Sequence, residues 1–234
     1  SGSGALTFGG AITNNGGLTL NSSANNTIGQ IISGTGAFTQ SGSGTTTLAG
    51  ANTYTGTTNI NAGTVNLSGS LSGTTILNIV SGATLNYTGA AAYNKINYSG
   101  TTWNIAGTLN NQLGVGTVAQ TLAPTVNLNG GTITGLGVTA DTWGDFANSQ
   151  STTITVTGTS TISGILRGNS QLRLSPTGSS DTLQVTGILG NGPGTLSLIK
   201  NGSGTLTLSG ANTYTGTTTV NAGTLGLSGS WNVG

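Results

Sequence analysis

Gly204-Thr205-Leu206-Thr207-Leu208-Ser209-Gly210-Ala211-Asn212-Thr213-Tyr214-Thr215-Gly216-Thr217-Thr218-Thr219-Val220-Asn221-Ala222-Gly223-Thr224-Leu225 is the stretch whose reading decides the fold. Apolar residues alternate with Thr over short runs, and Gly or Asn closes each run, the pattern of strands with one buried face. Nothing recurs at a helical period. The interval from Gly204 to Gly223 is also the interval from Gly44 to Gly63 and from Gly63 to Gly82. The window 41–70 returns as 201–230 with most positions identical, so Tyr54 reappears as Tyr214 and Asn61 as Asn221.

That interval, about 19 residues with two or three short strands, fits one coil of a β-solenoid, each coil stacking on the next at ~4.8 Å. The sequence thus predicts an all-β parallel β-helix over residues 1–234. Some ten to twelve coils give a rod on the order of 50 Å long by that spacing. Gly and Asn at the corners supply positive φ, and Asn61 and Asn221 are placed to form amide ladders along the axis. The competing architecture is a β-sandwich, but a single-coil period of this length is not what hairpins produce.

Composition removes most chemistry. The chain of 234 residues has four basic and three acidic side chains and no His, Cys or Met. Ordinary zinc sites, thiolate nucleophiles and Ser-His-Asp triads are excluded. Four scattered cations cannot make a nucleic-acid-binding face. The glycine-rich stretches lack the Gly-Lys-Ser/Thr of a phosphate-binding loop. No catalytic residue, cofactor or metal is expected. No segment is apolar and long enough to span a bilayer, so no membrane insertion is expected. Gly, Thr, Ser and Asn fill about three-fifths of the chain. The start at Ser1 suggests a processed chain or a piece of a longer surface or fibre protein, and the lack of Cys suits an exported one.

The stretch from Gly204 to Leu225, and its copy from Gly44 to Leu67, resemble the autotransporter-associated β-strand repeat, also called the passenger-associated transport repeat. The resemblance implies an exported, right-handed parallel β-helix on a bacterial surface.

Asp141, Trp143 and Asp145 lie in one short stretch ending at Phe146 and form the candidate ligand loop, for a sugar or calcium. The bland reading, a solvated loop whose aromatics cover a flank, is favoured. Calcium needs six to eight oxygens, and the repeated Asp signature of calcium-binding solenoids is absent. Arg167, Arg173 and Asp181 suggest either an acidic-sugar subsite or, preferably, a local ion pair closing a loop. Lys95 and Lys200 read as solvated. Tyr54 and Tyr214, in repeat register, read as packing residues. Trp231 either shields the last coil or contacts a following one. Rows of outward Thr suggest ice binding, but in the sequence Thr-x-Thr does not recur at one fixed coil position.

The expected function is that of a non-enzymatic extracellular structural protein, a rod or stalk of a bacterial surface or matrix fibre. Both Ser1–Phe8 and Gly223–Trp231 read as strands without charge or Pro, so the expected partner is the chain itself, stacked head to tail. The alternatives are a carbohydrate-binding adhesin or polysaccharide-active β-helix using the Asp141–Phe146 loop on surface polysaccharide, and an ice-binding solenoid.

Overall fold

The computed structural model describes residues 4–88, 101–111, 125–135, 145–147, 152–168, 170–191 and 194–231. Among these residues there is no helix, and the strands are short. Every strand pairing is parallel, each strand lying on the one a full coil earlier. Thr45–Leu48 pairs with Thr64–Leu67, which pairs with Thr84–Tyr87. The chain is therefore a parallel β-solenoid, and the sandwich is excluded. One sheet of eleven strands runs from Thr7–Phe8 to Thr224–Leu227, and a second of ten runs from Leu18–Leu20 to Thr218–Val220. A third side is closed by shorter ladders, such as Ala51–Asn52 with Ser70–Leu71 and Leu166–Gly168 with Leu189–Asn191.

The coils up to Thr84 stay close to the regular length, and the later ones between the repeated segments are longer. Thr45 to Thr64 and Thr205 to Thr224 are equal, short steps, whereas Thr84 to Thr108 is longer and Thr132 to Thr161 longer still. Gly82 departs from the expected column. Thr64 pairs with Thr84, so Ala83 is the residue in register with Gly63, and Gly82 precedes it in the turn.

The core is a set of aliphatic columns. Strand after strand shows half-exposed and buried residues in alternation, as in Thr205–Leu208, where Leu206 and Leu208 have no exposed surface. The two copies of the repeat do not stand in the same columns. Val65 stacks through Leu85, Leu109, Ile133, Ile162 and Val185 onto Leu208, although its sequence counterpart is Leu225. Over the intervening coils the chain has slid along the sheet by two positions. A slip of one would turn every side chain to the other face, but a slip of two keeps the apolar set inside.

In the first and last described coils the apolar side chains are less covered. Leu6 in the first coil and Val220 and Leu227 in the last are 45%, 47% and 50% exposed, and Phe8, Ile12, Leu18, Leu225 and Trp231 are partly buried.

Candidate functional site

The most elaborate polar architecture lies in the repeat itself and is built twice. Each copy brings Gly-Ala-Asn-Thr-Tyr-Thr-Gly-Thr-Thr around a corner into the ten-stranded sheet. The Asn turns inward. Asn52 Nδ2 donates to the Gly50 carbonyl at 2.9 Å, and Asn52 Oδ1 accepts from the Ile32 amide of the preceding coil at 3.0 Å. Asn212 repeats both bonds, to Gly210 and from Leu189, at 3.0 Å each. These buried asparagines carry the corner, and the sequence reading missed them. Their signal was an Asn between two small residues in both copies.

Tyr54 and Tyr214 are buried with their hydroxyls 2.6 Å from Thr58 and Thr218. Thr58 continues to Thr74 at 3.0 Å, and Thr74 donates to the Gly56 carbonyl at 2.9 Å. Burial pushes both phenols above their ordinary pKa, the hydrogen bond from Thr opposing this in part. Such phenols are packing residues with a satisfied polar tip, not acids.

Gln40 and Lys200 occupy the same position in the two copies of the repeat, and both point inward. Gln40 Nε2 donates to the carbonyls of Gly42 and Gly44 at 2.8 and 3.2 Å, and its Oε1 accepts from Thr46 at 2.7 Å. Lys200 Nζ donates to the carbonyls of Asn201, Gly202 and Ala222 at 2.8, 2.7 and 2.9 Å. The expectation that Lys200 is solvated is overturned: it has no exposed surface, and burial lowers its pKa. An ammonium fits there because three carbonyls replace its hydration.

Asn61 and Asn221 part company. Asn221 Nδ2 donates to Asn201 Oδ1 at 2.8 Å. In the first copy the position below is Ser41, which donates to Leu20 instead, and Asn61 makes no side-chain hydrogen bond among the described residues. The long amide ladder runs mid-strand, from Asn59 through Asn78 and Asn104 to Asn127, with steps of 2.9, 2.8 and 2.8 Å.

Gly63 and Gly223 have φ of +63° and +72°. A side chain there would also collide with the carbonyls of Gly44 and Gly204 one coil below. Gly44 and Gly204 are not in the left-handed region. They are glycine because the carbonyls of Ala24 and Asp181 pass too close for a Cβ.

Among the described residues, Asp181 and Arg173 are bound to separate partners. Asp181 accepts from the amides of Gly178 and Gly158 at 2.6 and 2.8 Å and from Thr177 at 3.1 Å. Those bonds hold its carboxyl below the ordinary range, the Gly178 amide first. The loop is thus closed by amides rather than by the expected ion pair with arginine. Arg173 donates to Gln171 at 2.6 Å. Asp145 begins the strand Asp145–Ala147 and lies in backbone register with Arg167. Asp141, Trp143 and Lys95 fall outside the described residues, so the candidate ligand loop has no described geometry beyond that strand. No group of three or more His, Cys, Asp or Glu gathers among the described residues. Trp231 bridges to Asn212 and packs edge-on against Tyr214, ring centres 5.7 Å apart. Its buried indole N–H finds no acceptor among the described residues.

The fold and this doubled corner define a parallel β-solenoid with two embedded repeat units. The family model described as passenger-associated transport repeat matches residues 38–67 and 198–227, together about a quarter of the chain. Both matches begin just before the inward Gln40 or Lys200 and end at Leu67 or Leu227. No curated protein and no solved structure matches the chain.

Proposed function

We propose that this chain is a non-enzymatic rod element of a bacterial surface or matrix fibre, exported as a passenger-type β-helix, and that its copies stack end to end. The observation that carries the reading is the apolar character of the first and last described coils. The last coil offers Leu225, Leu227, Val220 and Trp231, and the first offers Leu6, Phe8, Leu18 and Ile12. With the last coil standing as its sequence counterpart in the first copy does, Leu225 as Val65 and Leu227 as Leu67, stacking places Leu225 over Leu6, Leu227 over Phe8 and Trp231 over Ile12. Every facing pair is apolar, and no residue before Lys95 or after Lys200 carries a charge to oppose contact. A head-to-tail contact of this kind propagates into a filament.

The absence of Cys gives a direct test. The same register sets Gly226 of one copy over Thr7 of the next. Neighbouring strands lie ~4.8 Å apart, within the ~4.4–6.8 Å that a disulfide spans between Cα atoms. Thr7→Cys with Gly226→Cys should oxidise to a ladder of covalent multimers, and microscopy should show rods longer than one molecule. A chain that stays monomeric at high concentration overturns the stacking. Multimers joined only through a different cysteine pair overturn the register but not the stacking.

A further inference from the structure

The outward face of the eleven-stranded sheet carries one unbroken file of threonines. Strand register stacks Thr45, Thr64, Thr84, Thr108, Thr132 and Thr161 on consecutive coils. In the sequence this file is hidden, because its coil steps are unequal, short from Thr45 to Thr64 and long from Thr132 to Thr161, and the strand slides by two. Register thus aligns one Thr of each strand at a fixed position, while the second outward position is Asn at Asn66, Asn86 and Asn110.

None of these six hydroxyls makes a hydrogen bond among the described residues. The inward Thr46, Thr58 and Thr74, in contrast, are all bonded within the protein. Two positions further along each strand lies a second outward file of Thr and Asn, from Thr47 to Thr134. The two files form a lattice of ~4.8 Å along the axis by ~6.6 Å across, from the strand spacing and the rise over two positions. Threonine is stiff at χ1, so each methyl and hydroxyl is held in place by the strand beneath it. The face bears no charged side chain and no outward aromatic ring among the described residues, so neither an ionic ligand nor a stacked sugar is served by it.

The second file is tied within the protein, Asn86 donating to Asn66 and Thr134 to Asn110, so it is the Thr45–Thr161 file, a rigid, uncharged row of unbonded hydroxyls and methyls, that is complementary to a ligand with its own lattice. We infer that this face binds ice, the Thr45–Thr161 file holding water in the spacing of a crystal surface. The reading does not depend on end-to-end stacking, because a single rod carries the whole file.

The test is partition of the fluorescently labelled chain into a slowly growing ice front. The wild type should be incorporated. Thr108→Tyr and, separately, Thr64→Tyr should be excluded, since a bulky ring in the file lifts its neighbours off the lattice. Thr19→Tyr, at an exposed position on the ten-stranded sheet, should be incorporated like the wild type. Circular dichroism melts confirm that each variant is folded, and two file variants guard against one failing to fold. Exclusion of the wild type overturns the inference. So does incorporation of the folded file variants, and loss in Thr19→Tyr overturns the assignment to this face.

Discussion

The swap of Gln40 for Lys200 explains a second difference between the two copies. A glutamine brings an acceptor as well as donors, and Thr46 turns inward to satisfy it. A lysine has no acceptor, and the residue equivalent to Thr46 is Leu206, which is fully buried. Lys200→Gln alone should then be destabilising, because Oε1 is buried beside a leucine. Lys200→Gln with Leu206→Thr should recover part of the loss, with a coupling of about 1 kcal/mol in a denaturant double-mutant cycle. Additive effects would disprove the pairing. Gly223→Ala places a Cβ in the left-handed region, which costs about 1–2 kcal/mol before the clash with the Gly204 carbonyl is counted. Gly226→Ala meets nothing nearer than the Thr207 hydroxyl at 3.4 Å and should stay within about 0.5 kcal/mol of wild type. Asp181 sets the acid response. Its folded pKa lies below the unfolded 3.8, so its contribution is complete above that value and is lost as pH falls through the lower, folded one. Asp181→Asn should flatten the fall in melting temperature over that acid interval, and an unchanged slope would remove Asp181 as its cause.

At the scale of the strand, phase governs the outcome of a substitution more than residue type does. Leu208→Asp buries an unpaired charge in a column with Val185 and Leu227 and should cost more than about 3 kcal/mol. Thr207→Asp, one position back and facing solvent, should be mild. Urea titration separates the two, and equal costs would mean the strand phase is wrong. That phase was legible from Thr205-Leu206-Thr207-Leu208 alone, because alternation at a period of two leaves one assignment of faces. The solenoid itself was legible for the same reason, together with the regular return of Gly204 as Gly223. What was not legible depends on contacts between coils of unequal length. Gly82 reads as the third member of the series begun by Gly44 and Gly63, yet Ala83 completes the turn. The threonine file is scattered in sequence and continuous only in register. Lys200 reads as solvated because a lone lysine usually is, and nothing local announces that three carbonyls meet at that point.

For the whole molecule, the proposed stacking would make stability and association draw on the same interactions. An interior coil is held by backbone ladders and aliphatic columns on both sides. A docked copy would add the contacts that an extra coil adds. In that stacking ionic contacts would have no part, since every charged side chain of the sequence lies from Lys95 to Lys200. Assembly followed by light scattering should therefore hold steady between roughly 0.05 and 0.5 M salt, a range over which exposed ion pairs are screened away. Leu227→Glu provides the matching control. Leu227 is half exposed in the single rod, so the carboxylate reaches water and the melting temperature of the monomer should barely move. In a stacked rod the same carboxylate would be buried over Phe8 without a partner, and the filament should not form. If Leu227→Glu assembled as readily as the wild type, the apolar columns would not be the contact. If assembly instead weakened steeply with salt, charge from the middle of the chain would have to be carrying it.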